Sequence, residues 1–254
     1  LRMDLKLTGH NVIITGGTKG IGRAIAETLA EEGCNIAICA RNADDVSSAV
    51  ASLSAKGVKV TGQALDVADG DAFAAWINSV GEELGGIDAF VSNVSGGNAP
   101  GDAGWISQFN YNILSAVHGV EACKPFFEKS SNASVVMIST TAALEHFMNA
   151  GPYNAMKAGL LNHSGALSQE LGAKGVRVNA ISPGPVFIEG GSWDKIKQGM
   201  TAFYDSTLAT IPLGRMGTAE EIAAQAALLI SPLGGFTTGT NVVIDGGMTK
   251  RIQY

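Results

Sequence analysis

Short runs of consecutive apolar residues alternate along this chain with longer stretches in which apolar positions recur every three or four residues. The runs, rich in Val and Ile, fall at 11–15, 35–40, 58–64, 89–93, 134–139, 176–181 and 241–244 and predict seven strands. The periodic stretches fall at 21–32, 44–55, 69–84, 105–129, 153–172 and 218–230 and predict helices. Runs such as VIIT, VVMIS and NVVI are apolar on neighbouring residues, which suits strands covered on both faces by helices. The expected architecture is therefore α/β: a doubly wound, Rossmann-like parallel sheet with helices on both faces. In such sheets ligands bind beyond the carboxyl ends of the strands, so the loops that follow the strands are where chemistry is sought. The segment 184–217 follows the sixth strand, has no clean strand signal and reads as a substrate loop. No repeat or linker divides the rest, so 1–254 reads as a single domain.

Composition narrows the partners. The 254 residues are 46% hydrophobic and 16% charged, with 33 glycines, which describes a compact chain with many tight turns. A net charge of −6 without a basic run argues against a nucleic-acid partner. No apolar run approaches the roughly 18 residues needed to span a bilayer, so a soluble, cytoplasmic protein without a membrane partner is expected. Cys34, Cys39 and Cys123 contain no CxxC pair and read as buried, reduced thiols. His10, His118, His146 and His163 lack ligand spacing with Cys, Asp or Glu, so no metal is expected.

Immediately after the first strand come Thr15, Gly16, Gly17, Thr18, Lys19, Gly20, Ile21 and Gly22, and a helix follows at once. Glycines at a strand-to-helix turn permit a tight backbone and the close approach of a diphosphate, while the helix N-terminus offers unpaired N–H groups. A dinucleotide is the natural ligand. The spacing of Gly16, Gly20 and Gly22 is TGxxxGxG and resembles the cofactor turn of the short-chain dehydrogenase/reductase family, 3-oxoacyl carrier-protein reductases included. Further positions along nearly the whole chain are similar to that family's pattern: Asp66 and Val67 after the third strand, Asn93 after the fourth and Asn112 in the fourth connecting helix. Tyr153 and Lys157 in YNAMK, Pro183 and Gly184 after the sixth strand, and Asp245, Gly246 and Gly247 extend the match.

At the end of the second strand an acid would accept the adenosine ribose hydroxyls and repel a 2′-phosphate. Here the chain reads ICARN, with Ala40 where the acid would stand, Arg41 after it and Lys19 in the glycine turn. Two cations converging on one phosphate favour NADP(H) over NAD(H). The resemblance implies that Asp66 caps the adenine edge.

Tyr153 and Lys157 lie four residues apart in a helical stretch, so both project from one face. An adjacent ammonium, together with the positive charge of an oxidised nicotinamide, favours phenolate, so Tyr153 can exchange a proton with a forming or departing alcohol. The resemblance implies that Lys157 also holds the nicotinamide ribose and that Asn112 holds a water. The third partner is a hydroxyl that orients the substrate carbonyl. By the family's usual spacing it is Thr140, with Ser139 as the alternative or as a strand residue bonded to backbone.

Two departures from the family stand out. After Asn93 the chain reads Val94, Ser95, Gly96, Gly97 in place of NAG, so this loop is expected to be rebuilt. Ile188 stands where a threonine usually bonds the carboxamide, which leaves backbone N–H groups near Val186 and Ile188 for that contact. Substrate-pocket candidates are Glu145, His146, Phe147, Met148, Phe187 and Trp193. The expected activity is hydride transfer between NADP(H) and a carbonyl or secondary alcohol on a largely apolar small molecule: a 3-oxoacyl thioester, a cyclic ketone, a steroid or an aromatic alcohol. An NAD(H)-preferring alcohol dehydrogenase or a catalytically silent dinucleotide sensor are the alternatives. Helices 105–129 and 153–172 carry more apolar surface than one buried face needs, so a homo-oligomer, dimer or tetramer, is expected.

Overall fold

A computed structural model of the protein describes residues 4–97, 99–148 and 150–252. Strands β1 (Asn11–Thr15), β2 (Asn35–Ala40), β3 (Val60–Ala64), β4 (Ala89–Ser92), β5 (Ser134–Ile138), β6 (Arg177–Pro183) and β7 (Asn241–Ile244) form one sheet in the order β3-β2-β1-β4-β5-β6-β7. Every pairing is parallel. The chain builds outward from β1 to β3, returns to lay β4 beside β1, and then builds the other way. The crevice at the carboxyl ends of β1 and β4 is thus the switch point at which such sheets bind ligands.

The consecutive apolar residues of the strands feed two separate cores. Val12, Ile14, Ile36, Ile38, Val91, Val136 and Ile138 face helices α1 (Gly20–Glu31), α2 (Ala43–Ser54) and α9 (Ala219–Ile230). Their neighbours Ile13, Ala37, Cys39, Phe90, Val135 and Met137 face α3 (Gly70–Leu84), α5 (Ser115–Phe127) and α6 (Pro152–Leu171). Each fully buried side chain such as Phe73 or Ile38 contributes about 1.5–3 kcal/mol. The close approach of α5 to the sheet requires Gly119, since a Cβ there would lie 2.2 Å from the Phe90 ring. At the opposite end of the sheet, the buried Arg177 donates to the carbonyls of Leu229, Ile230, Ser231 and Gly234 and to Asn132, and so closes the C-terminus of α9 with a cation. All three cysteines are free and buried. No described helix is long and apolar enough to cross a membrane.

Two stretches depart from the periodicity. The helix read at 105–129 is α4 (Gly101–Phe109), a π-turn (Asn110–Leu114) and α5 in succession. Inside it, the Asn112 side chain donates to Gln108 O at 2.9 Å and the Ser115 hydroxyl to Tyr111 O at 2.6 Å. Each takes the carbonyl that an α-helical N–H would use, and the ladder widens by one residue. The segment 184–217 holds two short helices, α7 (Ser192–Gly199) and α8 (Thr201–Leu208), and closes on itself where Phe187 N donates to Gly217 O and Gly217 N to Pro185 O, both at 2.9 Å.

Candidate active site

The glycine turn joins β1 to α1 at the switch point. Gly16 and Gly20 have φ of +67° and +60°, and a Cβ on Gly22 would stand 2.4 Å from Gly16 O. Asn93, at the end of β4, secures the turn: its backbone N–H donates to the Thr15 hydroxyl at 2.9 Å and its amide to Thr15 O at 3.0 Å. Lys19 is the N-cap of α1 and makes no side-chain cap bond, so the helix's first N–H groups face the crevice beside the half-buried Thr18 and Ile21. A turn that admits no side chain, below uncapped amides, fits a dinucleotide diphosphate.

The cations predicted for the adenosine end are arranged differently from each other. The Lys19 ammonium lies 2.6 Å from the Asp45 carboxylate on α2. The Arg41 guanidinium lies 5.8 Å from the centre of the Tyr111 ring. The Tyr111 hydroxyl donates to Asp66 Oδ2 at 2.7 Å, and Ala68 N donates to Asp66 Oδ1 at 3.0 Å. Burial, then the Asp66 carboxylate, pushes the Tyr111 phenol above its usual range. Val67 is buried in the core under α3. Neither Asp45 nor Tyr111 carries a motif that reading the sequence alone would single out.

At the reacting end, the last residues of β5 meet the first turns of α6. Tyr153 and Lys157 do share one helix face. The Thr140 hydroxyl accepts from Ala142 N at 3.2 Å and lies beside the Tyr153 phenol, where it partly offsets the rise that burial imposes on that phenol. Ser139, one residue earlier, points the other way and donates to Lys157 O at 3.1 Å, a bond that fastens β5 to α6. The Lys157 ammonium is 2% exposed and donates to Ile138 O at 2.7 Å. Burial pulls the Lys157 ammonium down to about 7 and pushes the Tyr153 phenol above its usual range. In the protein by itself, burial thus opposes the phenolate that an ammonium neighbour was expected to favour.

Asn112 is buried at the π-turn, its amide N–H also donating to Gln108 Oε1 at 2.5 Å and its Oδ1 left without a partner. The same Gln108 donates to Gly96 O at 2.9 Å and Gly97 O at 3.2 Å. This explains the departure after Asn93: a Cβ on Gly96 would lie 2.8 Å from Ser107 O, so the delayed glycine lets the loop lie on α4. Gln108 had no signal in the sequence beyond its place on the helix.

Two cavities flank the N-terminus of α6. One of about 60 Å³ is lined by Thr140, Phe147, Gly184, Pro185, Trp193 and Met248, among others. The other, about 310 Å³, is lined by Trp105, His146, Phe147, Met148, Asn154 and Ala155, on the far face of the helix from Tyr153. Phe147 borders both and packs with Trp193 and Phe203 of the 184–217 segment. Phe187 lies under Lys197 instead of in either cavity. Ile188 reaches toward Gly20, 3.4 Å from where its Cβ would be, and Val186 is buried beside Gly217. Pro183 is buried at the end of β6, and Gly184 N donates to Ile244 O at 2.8 Å. Met248 enters the small cavity because Glu145 Oε1 accepts from Lys250 N and Arg251 N, while Asp245 accepts from Gly247 N and Thr249 N. Among the described residues no group of three His, Cys, Asp or Glu is placed to hold a metal ion.

Comparison with known proteins places this geometry in a lineage. A family model described as enoyl-(acyl carrier protein) reductase matches residues 16–249. Isoepoxydon dehydrogenase of Penicillium expansum is 37% identical, over 98% of this chain and 98% of its own. L-Sorbose reductase of Gluconobacter frateurii, solved with NADPH and L-sorbose, superposes with a TM-score of 0.89 at 28% identity, covering 98% of this chain and 100% of that one. NAD+-bound xylitol dehydrogenase superposes with a TM-score of 0.88 at 27% identity, covering 95% and 100%.

Proposed function

The chain belongs to the short-chain dehydrogenase/reductase family and is an oxidoreductase, and on that premise we propose that it transfers a hydride between NADP(H) and a small carbonyl compound or its alcohol. The observation that carries this reading is the Tyr153 phenol on α6, beside the Thr140 hydroxyl and one helical turn from the buried Lys157. A bound nicotinamide supplies or accepts the hydride. Thr140 orients the carbonyl oxygen, and Tyr153 delivers a proton to that oxygen as charge develops on it. Burial favours the neutral phenol, which is the form that donates to a forming alkoxide in the direction of carbonyl reduction. Lys157, now donating to Ile138 O, holds the ribose when the cofactor is bound, and Asn112 Oδ1, buried and unpartnered, is the acceptor for a water behind it. The glycine turn receives the diphosphate, Asp66 the adenine edge and Arg41 a 2′-phosphate, with Lys19 able to join only by leaving Asp45.

The cavity next to Thr140, lined by Phe147, Trp193 and Met248, supports a small, largely apolar carbonyl substrate. Sorbose reductase, with its NADPH, and xylitol dehydrogenase, with NAD+, mark the two cofactor choices among the structural neighbours. Arg41 supports the phosphorylated one. Exposed Trp105, Ile106 and Phe109 along α4 support a homo-oligomer built on that helix, testable by light scattering. The main test is NADPH consumption with a panel of small cyclic and open-chain ketones, run beside Tyr153→Phe. Turnover that survives in the variant would dismiss the proposed chemistry, and binding without turnover by the wild type would favour the silent sensor.

A further inference from the structure

Tyr111 precedes Asn112 in the π-turn, and the two side chains leave it in different directions. Asn112 turns inward to Gln108, whereas Tyr111 reaches Asp66 at the end of β3 and Arg41 at the end of β2. The phenol oxygen donates to the carboxylate at 2.7 Å, and the guanidinium lies over the ring, 5.8 Å from its centre. Both Asp66 oxygens are thereby engaged, one by Tyr111 and one by Ala68 N. Arg41, lying over the ring, forms no ion pair among the described residues. Lys19 is in the opposite condition, its charge already matched by Asp45 at 2.6 Å.

We propose that Tyr111 is a positioning residue for cofactor selection: it separates Arg41 from Asp66, its hydroxyl holding the carboxylate and its ring the guanidinium, so that the cation meets an adenosine 2′-phosphate. The inference rests on the NADP(H) reading above. Opposite charges left without the phenol between them would close into a direct pair, and the cation would lose both its aim and its charge toward the ligand. A cation held over a ring keeps its outward N–H donors for a phosphate. The π-turn matters here because its extra residue puts Tyr111 toward the adenosine end while Asn112 stays at the reacting end.

The test uses calorimetric titration of the whole protein with two probes that lack nicotinamide, 2′,5′-ADP and ADP. Tyr111→Leu removes ring and hydroxyl and is expected to weaken 2′,5′-ADP about ten- to a hundredfold while ADP changes less than about threefold. Tyr111→Phe keeps the ring and loses only the hydroxyl, so it should retain part of the preference, weakening 2′,5′-ADP about three- to tenfold. An equal loss of both probes, which is what general disruption of the turn would produce, overturns the proposal, as does an unchanged 2′,5′-ADP affinity. Should Tyr111→Leu fail to melt cooperatively, Tyr111→Phe decides alone: an unaltered ratio of the two affinities refutes the role. Wild-type protein binding ADP as tightly as 2′,5′-ADP would instead sink the NADP(H) reading itself, whatever the variants do.

Discussion

Replacing Lys157 with Met should destroy turnover and at the same time make the protein more stable at mildly acid pH. The fold holds this ammonium 2% exposed, with Ile138 O as its hydrogen-bond partner, and pulls it from 10.5 down to about 7. The gap between those two values, at about 1.4 kcal/mol per pH unit, corresponds to about 5 kcal/mol of cost for keeping the group charged in the native state. Methionine avoids that cost but strands the Ile138 carbonyl, which returns about 1–3 kcal/mol. Below about pH 7 the variant should therefore gain about 2–4 kcal/mol, or on the order of 10 °C in Tm. Between about pH 7 and pH 10.5 the unfolded chain still carries the Lys157 proton and the folded chain has released it. The unfolded state then holds more protons, wild-type stability rises with pH, and the variant's advantage shrinks. Urea melts of both proteins at about pH 6, 8 and 9.5 measure the difference directly, and other titrating groups cancel in it. A variant no more stable than the wild type at about pH 6, or a gap independent of pH, would refute the reasoning. The gain in stability and loss of activity from one substitution would mark Lys157 as a strained functional group.

Other perturbations separate roles that lie close together. Thr140→Val, which loses the bond from Ala142 N, should lower kcat by about 10²–10³ at a cost of about 1 kcal/mol of stability, whereas Ser139→Ala, which loses the bond to Lys157 O, should cost a similar amount and leave kcat within a few-fold. Steady-state kinetics beside thermal melts would detect a reversal of the two. Gly22→Ala places a methyl 2.4 Å from Gly16 O and should abolish cofactor binding in a fluorescence titration while costing about 1–3 kcal/mol in urea. Arg177→Met, far from the crevice, leaves the carbonyls at the end of α9 unpaired and should cost about 3 kcal/mol or more without altering the KM for cofactor in the remaining folded protein.

Local physics made much of this protein legible in one dimension. Strand runs and helix periods recur over a few residues, so the parallel sheet, the glycine turn after β1 and the shared face of Tyr153 and Lys157 follow from spacing along the chain. The π-turn is a partial exception, since the side chains that cause it are near neighbours, yet a period of 3.6 has no place for an inserted residue. What the tertiary structure alone decided are the meetings of residues far apart in sequence. Lys19 is taken by Asp45, Tyr111 stands between Arg41 and Asp66, Gln108 joins the 95–97 loop to Asn112, and Glu145 pins the segment that carries Met248 into the pocket. The bond from the Ser139 hydroxyl to Lys157 O belongs here too, because the direction in which the strand's end turns that hydroxyl is set by the packing of β5 on α6. Such contacts depend on the crossing of elements, and a side chain's protonation depends on the burial that results, so neither is written in any local run of residues.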